Sequence, residues 1–296
     1  MASDSIMQTL GGADVPGSDC KESTAAYENH KLSALVGVRD LDSRTEKLAH
    51  RAYLKGRLVL AFRIFGDNRF DEGTAGHISL RDPMLPDHFW VNPCGLPFSM
   101  VRSSDLLLVS PEGAVIDGGH RTHRKHINTP VLLLHHAIHQ ARPEVMAAAH
   151  AHSLSGRAFC ALGRNLDMIT QDACAFHNDL ALYTDFNGPV VTEDEAQAIV
   201  NTLGAKKAAL LQNHGLLTVG RSLEEMVWWF ISLEKCCYIQ LLADAAAAGK
   251  GGQTAKIDEE VAARTSKLVG SSAAGLSSGL PYFEEMAARC GNVYMN

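Results

Sequence analysis

Apolar positions recur along this chain at two spacings, one helical and one strand-like, and their alternation predicts most of its elements. From Ser43, the apolar residues Leu48, Ala52, Leu58, Leu60, Ala61, Ile64 and Phe65 fall at roughly helical spacing. Ser43-Arg-Thr-Glu46 has the form of a capping box, and Gly66-Asp-Asn is the expected stop. Short β-like runs follow at His77-Ile-Ser-Leu-Arg and His88-Phe-Trp-Val-Asn, and Leu106 to Ile116 reads as a hairpin turning at Pro111-Glu-Gly113. A helix is predicted from about Pro130 to Ala141, ending before Arg142-Pro143, because proline disfavours helical geometry in the residue that precedes it. The apolar run Val145-Met-Ala-Ala-Ala-His-Ala-His is then a strand, and Ser153 to Leu162 a further helix.

Downstream, Leu180-Ala-Leu-Tyr reads as a short strand, and Thr192-Glu-Asp-Glu195 caps a helix to about Leu203. Lys207-Ala-Ala-Leu-Leu-Gln reads as a buried strand paired with Leu216-Leu-Thr-Val, and Ser222-Leu-Glu-Glu225 caps a long helix to about Ala247. Within that helix Trp228 and Trp229 diverge by ~100°, so at least one of them faces the core or a neighbouring subunit. Residues 1–42 are polar without a sustained period and are expected to form a disordered arm. Residues 248–296 begin with the breaker Gly249-Lys-Gly-Gly and carry a second Gly- and Ser-rich patch from Gly270 to Gly279, so a tail with short helices is expected there. The order predicts one α/β domain over 43–247, with a central, mainly antiparallel sheet and helices on its faces.

Composition narrows the partners. At 46% hydrophobic and 20% charged residues, the 296-residue chain can bury a full core. A formal charge of -6 gives no electrostatic reason to expect nucleic acid. No apolar run approaches the ~20 residues that span a bilayer. No basic segment followed by an apolar core marks a signal peptide, and a cytoplasmic protein is expected. The seven cysteines are dispersed, odd in number and without a CxxC pair, as in a chain with reduced thiols.

The candidate chemistry lies in histidines. Residues two apart on a strand share a face, so His150 and His152 aim both imidazoles the same way. A third histidine, His214 in Leu-Leu-Gln-Asn-His-Gly, also ends an apolar run and precedes a glycine turn. Three histidines with one coordination position left open are the usual plan of a catalytic metal site, although any one of them alone is more often an ordinary core histidine. Sequence does not choose between Zn²⁺ and Fe²⁺.

Taken in order, Arg142-Pro-Glu-Val, His-Ala-His-Ser and Gln-Asn-His-Gly resemble the class II aldolase/adducin family. Gly73-Thr-Ala-Gly-His-Ile-Ser resembles that family's glycine turn, and Asn92-Pro-Cys-Gly-Leu-Pro its next loop; the resemblance spans about residues 45–245. It implies a three-layer α/β/α fold, a divalent metal on His150, His152 and His214, and a homo-oligomer, often a tetramer, with sites near subunit interfaces. It also exposes a departure. The family's sugar-phosphate aldolases carry Ser-Ser-Glu at the start of the helix before the metal strand, two phosphate-binding serines and the acid/base. Here Thr129, Pro130 and Val131 stand in those places, and valine cannot move a proton. His77 replaces the family's usual asparagine. The helix resembles instead an adducin-like branch of the family, including many fungal members, and an oxygenase group thought to use iron.

For the missing proton-transfer group, Glu72, His77, His135 and His177 are candidates by residue type. A carboxylate at Glu72 is more commonly a solvated loop residue, and His135-His136 more commonly ordinary helix packing. His139, one turn on from His135, makes a histidine-lined helix face conceivable. His77, Cys94, Gly95 and Thr129 are candidates for contact with a small-molecule substrate. The basic stretch His120-Arg-Thr-His-Arg-Lys-His126 is a candidate anion site, or a solvated loop. Three functions follow in rank order. The first is a metal-dependent carbon–carbon lyase of aldolase or decarboxylase type, acting on a small oxo or hydroxy acid. The second is a non-haem Fe²⁺ oxygenase performing oxidative decarboxylation, and the third a non-catalytic adducin-like interaction module. The third ranks last because a scaffold has no need of three histidines.

Overall fold

The computed structural model describes residues 43–119, 126–249, 251–291 and Tyr294; the expected arm over 1–42 and most of the basic stretch (120–125) lie outside the described residues. Helix α1 (Arg44–Asp67) starts at the anticipated box, where the Ser43 side chain accepts from the Glu46 backbone and the Glu46 side chain accepts from that of Ser43. Its second half is largely buried, with Leu58, Val59, Leu60, Ala61, Phe62 and Phe65 all fully enclosed, so this half of α1 lies in the protein interior.

The strands β1 (His77–Arg81), β2 (Phe89–Val91), β3 (Leu107–Val109) and β4 (Val115–Gly118) form an antiparallel meander. Helix α2 (Thr129–Ala141) leads into β5 (Ala147–Ala151), which is followed by α3 (Leu154–Cys160), β6 (Leu180–Tyr183) and α4 (Glu193–Leu203). The hairpin β7 (Ala208–Leu211) and β8 (Gly215–Gly220) precedes the long helix α5 (Leu223–Ala248). The eight strands lie in the order β4-β3-β2-β1-β5-β8-β7-β6, antiparallel throughout except for β6 against β7. The class II aldolase-like α/β fold expected from the sequence is present.

Alternation along β5 sorts the two faces of the sheet. Ala147, Ala149 and Ala151 pack with α1, α3 and α5, whereas Ala148 packs with Leu134 and Ile138 of α2 and with Ile199 and Leu203 of α4. Helices therefore cover both faces, giving three layers. His150 has the parity of Ala148 and faces the α2 side. Among the described residues, no helix is long and apolar enough to cross a membrane.

The C-terminal region holds two helices, where a tail with short helices is expected. It holds α6 (Glu259–Val269) and the 19-residue α7 (Ser272–Cys290), and most of the Gly- and Ser-rich patch lies in the first half of α7. A Cβ at Gly275 would lie 2.5 Å from the Trp229 ring, and one at Gly279 would lie 2.1 Å from the Glu224 carbonyl oxygen. The small residues thus form the contact face that lets α7 lie on α5, and this close approach outweighs their poor helix propensity. Arg57 of α1 joins the same contact. It donates to Glu224 at 2.5 and 2.8 Å, and its guanidinium lies 4.3 Å from the centre of the Phe283 ring. Trp229 is fully buried, as anticipated for one of the two tryptophans.

Candidate metal centre

The site forms where β5 and β7 end. His150 lies in β5, between His77 of β1 and Leu217 of β8 in the strand register. His152 follows two residues later, just past the strand. His214 sits in the tight β7–β8 turn, after Asn213 at φ 56°. Gly215 follows because nothing larger fits: a Cβ there would lie 2.6 Å from the Ala151 carbonyl oxygen and 3.3 Å from each of the His150 and His152 rings. The next helix is anchored as well. Ser153, its N-cap, donates through Oγ to Glu234 of α5 at 2.5 Å, and the Ser155 and Gly156 backbone N–H groups donate to the same carboxylate at 2.8 and 2.7 Å. A carboxylate at a helix N-terminus satisfies the free N–H groups and the positive end of the dipole. Here it also fixes the chain directly after His152.

One ligating nitrogen from each of His150, His152 and His214 lies within 4.8 Å of the other two. The donor set suits a divalent ion. His150 donates from Nδ1 to the Leu216 carbonyl at 2.9 Å, which leaves the Nε2 lone pair free, the second-contact pattern typical of ligating histidines. Burial, and then the neighbouring imidazoles, hold His150 well below the usual histidine range. Burial followed by His152 brings His214 down to about 4, and burial followed by the Arg157 charge lowers His152. The three rings are therefore neutral at physiological pH, the form that binds metal. Among the described residues, no carboxylate joins this cluster.

The other candidates divide. His77 is buried with its ring centre 5.0 Å from that of His150, and its Nδ1 lies 2.5 Å from Nε2 of His135. His135, expected to be ordinary helix packing, is fully buried and shares a hydrogen bond with Ser79 Oγ, which lies 2.8 Å from His139 Nε2. Burial lowers His135 and His139 to about 3, helped by His139 in the first case and by the Arg81 charge in the second. Glu72 stands at the rim, more than half exposed and paired with Arg157 at 2.5 Å. Thr129 is exposed at the first position of α2. Cys94 is half-buried; its backbone N–H donates to the His126 carbonyl, and Gly95 follows at φ 72°. Val131 is buried in an apolar cluster with Phe89, Val91, Leu107, Val109 and Ile127.

Reading the sequence missed the buried file through Ser79, and Glu234 as the anchor behind His152. A signal for the file was available: Ser79 is two residues from His77 on one strand, and His139 is four from His135 on one helix. Nothing local in the sequence pairs that strand with that helix.

A mixed sheet between helix layers, with three imidazoles meeting at two strand ends in a set that could hold a divalent ion, is the arrangement of a class II aldolase-like fold. Residues 56–241 match the family model described as Class II Aldolase and Adducin N-terminal domain, and the chain belongs to that family. It is 42% identical over 241 residues to Decarboxylase NovR of Streptomyces niveus, covering 81% of this chain and 86% of that protein. It is 42% identical over 242 residues to the 4-hydroxy-3-prenylphenylpyruvate oxygenase/4-hydroxy-3-prenylbenzoate synthase of Streptomyces roseochromogenus subsp. oscitans, covering 81% and 84%. Among solved structures it resembles one titled L-fuculose 1-phosphate aldolase from Glaciozyma antarctica PI12, with a TM-score of 0.78, 46% identity and coverage of 89% of this chain and 98% of that one.

Proposed function

We propose that this chain is a metal-dependent enzyme that breaks the carbon–carbon bond next to the carboxylate of a small 2-oxo or 2-hydroxy acid. The observation that carries this reading is a contrast within the site. Three neutral imidazoles converge, while the position of the family's glutamate holds Val131, sealed among apolar side chains. Retro-aldol cleavage needs a group that moves a proton at carbon or oxygen, and Val131 offers none. Oxidative decarboxylation releases CO₂ while molecular oxygen, as co-substrate, takes up the electron pair left on carbon 2, and so it does not draw on that carboxylate. Thr129 and Pro130, in place of two phosphate-binding serines, remove the reason to expect a sugar phosphate. The decarboxylase and the oxygenase among the relatives support the same chemistry.

His150, His152 and His214 would hold the metal. Bound there, a divalent ion supplies a Lewis acid for a chelating oxo or hydroxy acid, and iron supplies oxygen chemistry in addition. Because the three ligands carry no charge, they leave the site electropositive, which suits an anionic bidentate acid. His77 stands beside the triad, and its ring is fixed from behind by His135.

The test is metal analysis of protein purified without added metal, followed by turnover of an aryl 2-oxo acid in an oxygen electrode with CO₂ trapping. The expected result is bound iron, oxygen uptake and CO₂ release in step. Zinc with CO₂ release and no oxygen uptake would make the enzyme a simple decarboxylating lyase. A second reading, aldol cleavage, is favoured by the likeness to the structure titled L-fuculose 1-phosphate aldolase. It would prevail if L-fuculose 1-phosphate were cleaved and no 2-oxo acid lost CO₂. Absence of both metal and turnover would overturn each catalytic reading and leave the adducin-like module.

A further inference from the structure

One ion pair stands beside the triad, and each half of it is held by an element that also touches a candidate ligand. Arg157 belongs to α3, the helix that begins directly after His152 and Ser153. Gly156 presses that helix onto the sheet: a Cβ there would lie 2.5 Å from Cγ of Leu216, the residue whose carbonyl receives His150. Glu234 grips Ser153, Ser155 and Gly156 from the other side. The backbone that carries Arg157 is therefore locked to the strand end that carries His150 and His152.

Glu72 arrives from the opposite direction. Its carbonyl accepts from the Ala75 backbone, closing a turn that leads into Gly76. Gly76 has φ 94° and lies on the end of β5: a Cβ there would be 3.2 Å from the Phe98 ring and 3.6 Å from the Ala151 side chain. Ala151 stands between His150 and His152 in the chain. Arg157 and Glu72 then meet at 2.5 Å. The contacts close a ring from Ala151 through His152, α3, Arg157, Glu72 and Gly76 back to Ala151. The pair thus bounds the mouth of the site on the His152 side.

The pair is also open to exchange. Side-chain exposure is 39% for Arg157 and 59% for Glu72, and an ion pair so accessible to water is weak. Among the described residues, Glu72 is the one partner of the Arg157 guanidinium. A guanidinium whose single partner is a loosely held carboxylate accepts another carboxylate in its place, with the same forked geometry. The three imidazoles are uncharged, so Arg157 is the protein's own positive group at this edge.

We propose that Arg157 is a substrate-binding residue that receives the carboxylate of an acid held at the triad, and that Glu72 is the stand-in which this carboxylate displaces. The inference rests on the proposed function for the location of the site and deepens it: Arg157 selects a carboxylate-bearing substrate over a neutral one. Glu72 touches no substrate and competes with it instead.

Calorimetric binding to the zinc-loaded full chain tests this without turnover. The probe is phenylpyruvate, and the control is acetohydroxamate, a bidentate zinc ligand without a carboxylate. Arg157→Gln should weaken phenylpyruvate about tenfold or more, as expected for loss of a charge-assisted hydrogen bond, and leave acetohydroxamate within about twofold. Arg157→Lys, which keeps the charge without the fork, should recover part of the loss. Glu72→Gln should tighten phenylpyruvate by about two- to fivefold, and should do nothing in the Arg157→Gln background. Equal loss of both ligands or loss of bound zinc in Arg157→Gln would overturn the proposal, as would wild-type protein that binds the hydroxamate but not the acid. Weaker phenylpyruvate binding in Glu72→Gln would overturn it too, by making Glu72 a holder of Arg157 and not its competitor. Arg157-dependent binding in a protein that releases no CO₂ would leave this inference standing and overturn the proposed function alone.

Discussion

Val131 and His135 stand one helical turn apart on α2, and both are buried, yet their surroundings differ. Val131 closes an apolar cluster against β2 and β3, whereas His135 enters a file of polar groups that reaches to within one ring of the metal triad. In the family's sugar-phosphate aldolases the first turn of this helix carries the acid/base. Here the first turn is packing, and the polar side chains lie one and two turns further on. A helix inclined across a sheet presents successive turns to successive strands. Moving polar groups by one turn therefore changes the strand that they meet, from β2 to β1.

The contrast can be broken in several ways. Stripping the metal with a chelator, or substituting His150→Ala or His214→Ala, should reduce turnover of the 2-oxo acid by roughly 10³-fold or more, with metal content falling in parallel. Activity that survived would show that the triad is structural. Next in size is Val131→Glu, which restores the family carboxylate in name. It buries an unpaired acid among Phe89, Val91, Leu107 and Val109, at a cost of roughly 3–5 kcal/mol by denaturant titration. Gain of sugar-phosphate cleavage instead would show that the first turn still faces the reacting centre.

Acid should act on the second and third turns and not on the first. His135 and His139 titrate near 6.5 when unfolded and at about 3 when folded, so below pH 6.5 the unfolded chain binds more protons. The stability from keeping them neutral is fully present above pH 6.5. It is lost as pH falls toward 3, at roughly 1 kcal/mol per pH unit for each. Urea midpoints of the metal-free protein between pH 7 and 4.5 measure the slope, which should flatten in His139→Leu and be unchanged in Val131→Ala. The smallest effect belongs to the rim. Glu72→Gln should alter kcat by less than about twofold, because its exposed pair with Arg157 contributes little. A tenfold loss would return Glu72 to consideration as the proton-transfer group.

Much of the fold was legible because its signals are local. The capping residues Ser43, Thr192 and Ser222 each accept the expected backbone N–H, and the helices that they open follow. The rule that residues two apart on a strand share a face brought His150 and His152 together in prospect. Two features were not legible in the sequence, for a shared reason. The run from Gly270 to Gly279 has the composition of a loop, but its missing side chains are filled by Trp229 and Glu224 of another helix. His135 resembles a packing residue until β1 is placed beside α2.

By itself, then, the sequence determined what neighbours a few positions apart can determine: periodicity, caps, turns, a pair of histidines on one strand face, and a valine that removes a glutamate. Only the tertiary structure decided which distant segments meet. His77 and His135 are separated by 58 positions, and no periodicity reaches across that interval. Their contact depends on the pairing of β1 with β5 and the return of α2 over that pair. That global packing also sets which polar groups each of these buried imidazoles meets.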